Sequence, residues 1–363
     1  MHVPDWTQLP EELLQVISEK LDNCFDVVHA RSVCSSWRSS IPFPCSLVRP
    51  SYSLPSSGSF FYKGLGTLKK IPLFLFIVPT LSASSSEYFL GGIGCRDEAE
   101  DQTELPSPIQ CSVKVKIGES DPRLMNMLDC EILPLGHQYR LIGCNPSYYR
   151  GVAFLPLKKE GGREFVVLLH YGYVLYVQTS AEMKWKRLKN VPKSEICRDV
   201  VTFRGRFYAS FRNGTSVVID PYSLDVTLLM HSQNREISHY LVPSGNDDLF
   251  LVHRFASHST YRVSRLDEEA GKWVEISEVG DRVLFISGGV LGNVCCSAKE
   301  LPDGCGVSGN SIVFTDYVGG TYSYKYGVDT GRGEDGRKGW RPSRESRVKV
   351  LSTSPVVALR VEH

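Results

Sequence analysis

The chain has 363 residues, of which 42% are hydrophobic and 22% charged, so it can bury a sizeable core and is not disordered as a whole. Its 41 Lys and Arg residues against 40 Asp and Glu leave a net charge of +1, which gives no global reason to expect nucleic acid or an anionic membrane as partner. At roughly 150 residues per domain, this length predicts two or three domains, or one small module beside a large repetitive one. The 31 Gly and 20 Pro residues favour a turn-rich β protein.

The amino-terminal segment lacks the basic and apolar regions of a secretory signal, so we expect the protein in the nucleus and/or the cytoplasm and not secreted. The longest apolar run, residues 71–81, contains two prolines and is far shorter than the ~20 residues that span a bilayer, and it predicts a buried strand. The 11 Cys residues form no CxxC pair and the 9 His residues form no HxxxH pair. We therefore expect no metal site, no cofactor, and reduced thiols that pack as small hydrophobes.

The first forty or so residues predict a helical module. One stripe of apolar side chains has helical spacing: Leu13, Leu14, Ile17 and Leu21. Pro10 suits the first helical position, and Glu11 and Glu12 follow in the first turn, where the helix dipole favours acids. A second helix is predicted after Asn23 as N-cap, and a third around Trp37. Such a small module buries little area, so its apolar surface invites a partner.

Two blocks of this module resemble the F-box motif in residue type and spacing: Leu9-Pro10-x-x-Leu13-Leu14-x-x-Ile17, and Val33-Cys34-x-x-Trp37-Arg38. In the F-box family, a three-helix module docks onto the adaptor Skp1 of a cullin-RING ubiquitin ligase. The resemblance implies that eight residues form the Skp1 contact or its immediate support: Leu9, Pro10, Leu13, Leu14, Ile17, Val33, Cys34 and Trp37. The alternative is a helical cap packed on the chain's own core.

The remainder of the chain predicts an all-β domain. Apolar runs of strand length alternate with Gly, Asn and Asp; examples are residues 165–177, 200–209, 216–219, 249–255, 283–286, 311–315 and 321–326. Residues 42–59 are rich in Pro, Ser and Gly without a hydrophobic period, which is typical of a linker. The predicted fold class is multi-domain α + all-β, with an F-box domain at 3–42, a linker at 43–60 and a β-propeller at 61–356.

Internal repeats favour a propeller. Lys184-Trp185 and Lys272-Trp273 share a Lys-Trp-x-x-aliphatic pattern and are 88 residues apart, or two periods of 44, with a similar strand without Trp around Leu229. Propeller blades repeat every ~40–50 residues, and each Trp is expected to wedge between blades rather than bind a ligand. Residues 204–209 also resemble residues 309–315, a turn glycine followed by a strand.

The large domain resembles the KIB-type β-propeller that follows an F-box in a large plant family, long catalogued as a domain of unknown function. Four segments carry the resemblance: residues 203–208, 265–273, 281–285 and 309–316. The resemblance implies about six to seven short blades and an adaptor whose propeller captures a target protein. It implies no catalytic residues.

Enzyme signals are weak. Residues 331–336 satisfy GxGxxG, but the segment that follows, Arg337 to Pro342, cannot form the long helix that a dinucleotide site requires. We therefore predict a non-catalytic adaptor of an SCF (Skp1-cullin-F-box) ubiquitin ligase that binds Skp1, through it cullin, and an unknown protein target, with no nucleic acid and no membrane as partner. The alternatives are an F-box regulator acting without degradation, and a propeller enzyme or carbohydrate-binding protein.

Overall fold

The computed structural model of the chain describes residues 5–18, 20–21, 24–41, 51–55, 65–79, 86–95, 112–117, 123–126, 131–145, 147–157, 164–192, 196–230, 237–255, 261–287, 292–301, 305, 307–315, 321–326 and 347–352. The predicted N-cap Asn23 and the GxGxxG segment 331–336 lie outside these residues. No helix among them is long and apolar enough to cross a membrane.

Three α-helices open the chain, as predicted: α1 (Glu11–Ser18), α2 (Cys24–Ser32) and α3 (Ser35–Ser40), preceded by a short 3-10 helix at Trp6–Gln8. The carbonyl of Pro10 accepts a hydrogen bond from Leu14 N at 3.1 Å. Pro10 therefore takes the capping position, and the helix begins one residue later than the sequence indicates. Glu11 and Glu12 occupy the first turn, where their charge favours the helix.

Strands make up most of the other described residues. Seven of them are β1 (Ser51–Pro55), β2 (Leu65–Pro79), β3 (Ser86–Cys95), β4 (Ser112–Ile117), β5 (Arg123–Asn126), β6 (Glu131–Ile142) and β23 (Arg347–Ser352). The others form four four-stranded sheets. Sheet I contains β7 (Tyr149–Pro156), β8 (Phe165–Tyr171), β9 (Val174–Thr179) and β10 (Lys186–Arg187). Sheet II contains β11 (Cys197–Phe203), β12 (Arg206–Phe211), β13 (Ser216–Ile219) and β14 (Val226–Met230).

Sheets III and IV complete the described strands. Sheet III contains β15 (Ile237–Ser244), β16 (Asp248–Phe255), β17 (Tyr261–Asp267) and β18 (Lys272–Ile276). Sheet IV contains β19 (Arg282–Ser287), β20 (Val294–Ser297), β21 (Ser311–Thr315) and β22 (Thr321–Lys325), with a 3-10 helix at Ala298–Glu300 after β20.

Contacts divide the chain into two units. One comprises Met1–Arg49, Pro72–Pro134 and Ser343–His363, and the other comprises Pro50–Ile71 and Leu135–Pro342. In the first unit β3 pairs with β2 and β23, and β4 pairs with β23 and β5. The second unit holds sheets I to IV. The domain boundaries 3–42, 43–60 and 61–356 stay predictions.

Sheets I, II and III are antiparallel meanders in which consecutive strands pair. Trp185 immediately precedes β10, Leu229 lies in β14 and Trp273 lies in β18, so all three fall at the fourth strand of successive sheets. The 44-residue period is thereby confirmed. Successive four-stranded meanders are the arrangement of propeller blades, which confirms the predicted fold class. The described residues contain four four-stranded sheets, three of them meanders, and the number of six to seven blades stays a prediction.

Sheet IV departs from the repeat. Its strand order is β20-β19-β21-β22, and β19 pairs with β21 in parallel, Val283 opposite Ser311. Parallel neighbours need a crossover connection, which here includes the 3-10 helix after β20. Residues 204–209 and 309–315 each place a turn glycine before a strand, as the sequence indicates, but β12 is the second strand of its sheet and β21 is the third.

Two predicted strands are hairpins. Residues 165–177 contain β8 and β9, joined at Gly172, whose φ is 63°. Residues 200–209 contain most of β11 and the start of β12, joined at Arg204 and Gly205 with φ of 42° and 74°. Positive φ at both central residues is the conformation of a tight hairpin turn. The sequence marks the first turn only by Gly172, whereas Arg204-Gly205-Arg206 interrupts the second run with polar residues.

Part of the predicted linker is a strand. β1 lies within residues 43–60 and pairs antiparallel with β2, Leu54 opposite Gly66. Leu54 is completely buried, so its side chain anchors this strand to the core although the stretch is rich in Ser and Pro. The other residues of 43–60 lie outside the described residues.

Apolar layers join neighbouring sheets, and the two repeated tryptophans lie in them. Trp273 belongs to the layer between sheets II and III, and its Nε1 donates to Ser216 Oγ of sheet II at 2.7 Å. Trp185 is buried in the layer that sheet I shares with Leu54 and Leu68. Both tryptophans thus pack between sheets, as the sequence indicates, and neither lines an open ligand site.

The strands β7, β11, β15 and β20 form one edge of sheets I to IV, and we call them the inner strands. The partly buried carboxylate of Asp199 links β11 to β15 and to Asn293, the residue before β20. In turn, β11 contacts β15 and β15 contacts β20. Asp199 Oδ1 accepts from Val200 N at 2.9 Å, and its Oδ2 accepts from Leu241 N at 2.9 Å and from Asn293 Nδ2 at 2.8 Å. Burial raises the pKa of Asp199 to about 6, while the three hydrogen bonds oppose that rise. All three partners are donors, so the site requires a side chain that only accepts.

Asp199→Asn tests this junction. The amide replaces one acceptor oxygen by a donor that faces another N–H group, so we expect the free energy of unfolding to fall by about 1–3 kcal/mol. Urea denaturation measures the loss, with Asp225→Asn, at an exposed position, as the matched control. Equal midpoints for the two variants would show that the carboxylate does not hold the inner strands together.

Candidate functional site

The core of the helical module contains two of the eight predicted site residues. Leu14 is fully buried and Trp37 nearly so, and they pack with Val27 and Ile41. Side chains that are buried in the free protein cannot be the first to touch a partner. Leu14 and Trp37 therefore hold the three helices together and support whatever surface the module presents.

Three further predicted residues lie at the edge of this core. Leu9, Ile17 and Cys34 are partly buried and pack against it. Cys34 also takes the N-cap position of α3 with extended backbone, although its side chain makes no capping hydrogen bond. These residues position the start of α1 and the turn between α2 and α3, and each keeps part of its surface accessible.

The remaining three predicted residues are exposed. Leu13 is 50% exposed and Val33 46%, and Pro10 is also exposed. Large apolar side chains that stay half exposed have buried little of the area that would stabilise them, and this makes them candidates for a partner interface.

Two exposed apolar residues were missed in the sequence. Trp6 is 57% exposed and Val16 54%. Val16 lies three residues after Leu13, so the two share one face of α1, and helical spacing could have identified it. Trp6 lies in a 3-10 helix of three residues, which has no period to detect. We define the exposed apolar set as Trp6, Pro10, Leu13, Val16 and Val33.

Hydrogen bonds fix the position of Trp6. Asp5 caps the 3-10 helix by accepting from Thr7 N at 3.0 Å and Thr7 Oγ1 at 2.6 Å, and these bonds lower the pKa of Asp5. Trp37 Nε1 donates to the carbonyl of Trp6 at 2.9 Å. The buried tryptophan thereby holds the exposed one at a defined place, so Trp37 supports the surface by a polar contact as well as by packing.

Helices α2 and α3 are joined by arginines. Arg31 Nη1 donates to the carbonyl of Ile41, and Arg38 Nε donates to the carbonyl of Arg31 at 3.3 Å. Carbonyls at helix ends have no partner within the helix, so such bonds satisfy them and fix the angle between the two helices. Val33 lies in the turn between these helices and is positioned by the same contacts.

Two histidines and two thiols of the large domain are held in unreactive protonation states. His239 and His253 are buried on paired positions with their Nδ1 atoms 2.9 Å apart, and burial lowers the pKa of His239 to about 3 and of His253 to about 4. Burial raises the pKa of the Cys144 and Cys296 thiols to about 12. Both histidines are neutral and both thiols protonated at neutral pH, which suits packing rather than proton transfer or nucleophilic attack.

Metal-binding chemistry is likewise not indicated in the described ranges. They contain no group of three or more His, Cys, Asp or Glu side chains that could hold a metal ion. The side chains of the exposed apolar set are hydrophobic, and this chemistry suits association with a protein.

Comparison with family models gives two matches. Residues 74–335 match the KIB1-4 β-propeller, and residues 6–48 match the F-box domain. The F-box match contains all eight predicted site residues as well as Trp6 and Val16. F-box domains are the Skp1-binding parts of SCF complexes, and F-box proteins are generally non-catalytic adaptor subunits.

Plant relatives resemble the chain over nearly its whole length. The F-box/kelch-repeat protein At1g64840 of Arabidopsis thaliana is 58% identical, over 99% of this chain and 97% of the relative. The F-box/kelch-repeat protein At2g24250 of the same plant is 55% identical, over 99% of this chain and 96% of the relative. The F-box protein SKIP23 of Arabidopsis thaliana is 27% identical, over 98% and 93%.

The variants Leu14→Ala and Leu13→Ala, at adjacent positions of α1, test whether Leu14 stabilises the core of the helical module while Leu13 belongs to its surface. The buried truncation leaves a cavity and should cost about 2–5 kcal/mol, whereas the exposed one should change stability by about 0.5 kcal/mol or less. Amide hydrogen exchange of residues 11–41 in the full chain measures both. Protection should fall roughly 30-fold or more in Leu14→Ala alone. Equal loss in both variants would contradict the assignment of Leu13 to the surface.

Proposed function

Because the chain belongs to the KIB1-4 β-propeller family and carries an F-box domain, we propose that it is the substrate-recognition subunit of an SCF ubiquitin ligase. The F-box holds Skp1, and Skp1 connects the chain to cullin. The propeller holds a target protein for ubiquitination and proteasomal degradation. The chain itself performs no chemistry, and it acts in the nucleus and/or the cytoplasm without nucleic acid or membrane as partner.

The observation that carries this proposal is the division of the F-box residues into a buried and an exposed group. Pro10, Leu13 and Val33 are the direct Skp1 contacts, joined by Trp6 and Val16. The other five predicted residues support them from within: Leu9, Leu14, Ile17, Cys34 and Trp37. An interface of this kind gains its free energy from a few apolar anchors that become fully buried on association.

Ubiquitin transfer then depends on proximity. A target bound to the propeller is tethered near the thioester-linked ubiquitin held elsewhere in the complex, so a bimolecular reaction becomes effectively intramolecular. The propeller suits this task because its sheets are buried on both faces and present turns and strand ends to the target. A rigid platform loses little conformational entropy when it binds.

The double variant Leu13→Ala with Val33→Ala tests the Skp1 contact. Each truncation removes exposed apolar area without creating a cavity, so we expect Skp1 affinity to fall roughly 30-fold or more while the fold is retained. Binding of the purified full chain to Skp1 by calorimetry measures this. The control is Gln15→Ala with Ser36→Ala, which changes two exposed polar residues of α1 and α3. Full affinity in the first variant would refute the contact assigned here.

A second measurement separates degradation from other regulation. In cells, the Leu13→Ala with Val33→Ala variant should raise the abundance of proteins captured by the propeller, because these are no longer ubiquitinated. Unchanged abundance, together with lost Skp1 binding, would contradict the degradative role and favour an F-box regulator that acts without degradation.

A further inference from the structure

Two neighbouring inner strands, β7 and β11, each contain a β-bulge, and the extra residue is an arginine in both. In sheet I, Tyr149 pairs with Tyr171 and Gly151 pairs with His170, which leaves Arg150 without an opposite residue. In sheet II, Cys197 pairs with Phe211 and Asp199 with Ser210, which leaves Arg198 in the same situation. Bulges bend a strand and redirect a side chain, and they are frequent beside functional sites.

The two bulges lie close together in space. β7 and β11 contact each other, and Thr202 Oγ1 of β11 donates to the carbonyl of Phe154 of β7 at 3.1 Å. A Cβ atom built on Gly151 would be 4.0 Å from Val200 Cγ1. The charges of Arg150 and Arg198 also both help to lower the pKa of the buried His170, after burial itself. The two guanidinium groups therefore share one neighbourhood.

Neither arginine is engaged within the described part of the protein. Arg150 and Arg198 are exposed, and no ion pair or side-chain hydrogen bond joins either of them to another described residue. Arg204, at the opposite end of β11, is different, because it donates to the carbonyls of Asn246 and Asp247 and pairs with Glu268. Arg204 therefore has a structural role in holding turns together, whereas Arg150 and Arg198 are available to bind a partner.

The described groups beneath and beside the bulges form no ion pair with these two arginines. Burial lowers the pKa of His170 to about 4, so His170 is neutral at neutral pH. The adjacent acid, Asp199, has both oxygens engaged by Val200 N, Leu241 N and Asn293. A third exposed arginine, Arg212, lies beside the start of β11, since its backbone N donates to the carbonyl of Ile196 at 2.7 Å.

Exposed aromatic side chains border the arginines. Tyr173, 68% exposed, lies in the turn that follows β8, and Tyr148, 53% exposed, immediately precedes β7. The two are joined through Gly172, whose N donates to the carbonyl of Tyr148 at 2.7 Å. Tyrosine and arginine are enriched at protein interfaces because each combines a large apolar or planar surface with a hydrogen-bonding group.

We propose that Arg150 and Arg198, supported by Arg212 and bordered by Tyr148 and Tyr173, bind an acidic segment of the target protein. We call these five residues the bulge surface. Guanidinium groups bind carboxylates through two parallel hydrogen bonds, and the two bulges present a pair of such groups on a rigid backbone. The inference rests on the proposed function, in which the propeller holds the target, and it specifies the chemistry of that target.

Direct binding tests the bulge surface. Fluorescence anisotropy of a labelled short oligoglutamate peptide, titrated with the purified full chain, should show saturable binding that weakens as salt increases, and Skp1 binding is measured separately on the same protein. Arg150→Ala with Arg198→Ala should weaken it roughly tenfold or more. The matched control, Arg187→Ala with Arg206→Ala, removes two exposed arginines of the same sheets away from the bulges and should leave affinity unchanged. The Arg150→Lys with Arg198→Lys variant should be intermediate, because lysine keeps the charge but loses the paired hydrogen bonds.

Two outcomes of the peptide titration would overturn the inference. Equal affinity in the bulge and control variants would place binding elsewhere, and equal competition by single-stranded DNA would show general attraction of anions rather than recognition of a peptide. Urea midpoints of all variants verify folding. Retained Skp1 binding with no peptide binding would refute the bulge surface alone, whereas peptide binding without Skp1 binding would refute the proposed ligase function alone.

Discussion

The large domain depends on one constraint, the burial of both faces of a central strand in each four-stranded sheet: β8, β12, β16 and β19. In β8, Val166 and Leu168 face the layer shared with sheet II, while Val167 and Leu169 face the layer that contains Trp185. Since side chains alternate along a strand, every residue of β8 except those at its end must be apolar. One such sheet would leave an apolar face in water, and only the packing of a further sheet on each side removes it.

The same constraint explains what the sequence could and could not predict of this domain. The repeat was detectable because Trp185 and Trp273 fill the same layer position two sheets apart, so spacing and residue type agree. The hairpin at Gly172 was missed because β8 and β9 are largely buried and have little polar alternation to mark where one ends. The second hairpin does carry a signal, because Arg204-Gly205-Arg206 is a polar turn inside the predicted strand 200–209. The strand order of sheet IV could not be predicted from the sequence. The sequences of β19 and β21 are typical of strands and do not indicate which neighbours they pair with.

The F-box illustrates a different limit. Helical spacing predicted α1 and its apolar stripe, and the motif located all eight residues. It could not separate Leu13 from Leu14, which are adjacent in sequence but point about 100° apart on the helix. That difference decides which side chain belongs to the core and which to the surface, and it depends on where α3 places Trp37. Trp6 lies outside any helical period, and only its hydrogen bond from Trp37 reveals that its position is fixed.

The two candidate surfaces also differ in how binding relates to folding. Among its described side chains, the helical module buries Leu14, Val27, Trp37 and Ile41. A module of this size gains little stability from its own core, so a partner that covers Leu13 and Val33 adds to that stability directly. Arg150 and Arg198 project from strands held on both sides by apolar layers, and a ligand there adds little to a backbone that is already ordered. Affinity at the first surface therefore includes a folding contribution, whereas affinity at the second reflects charge and geometry and is the more sensitive of the two to salt.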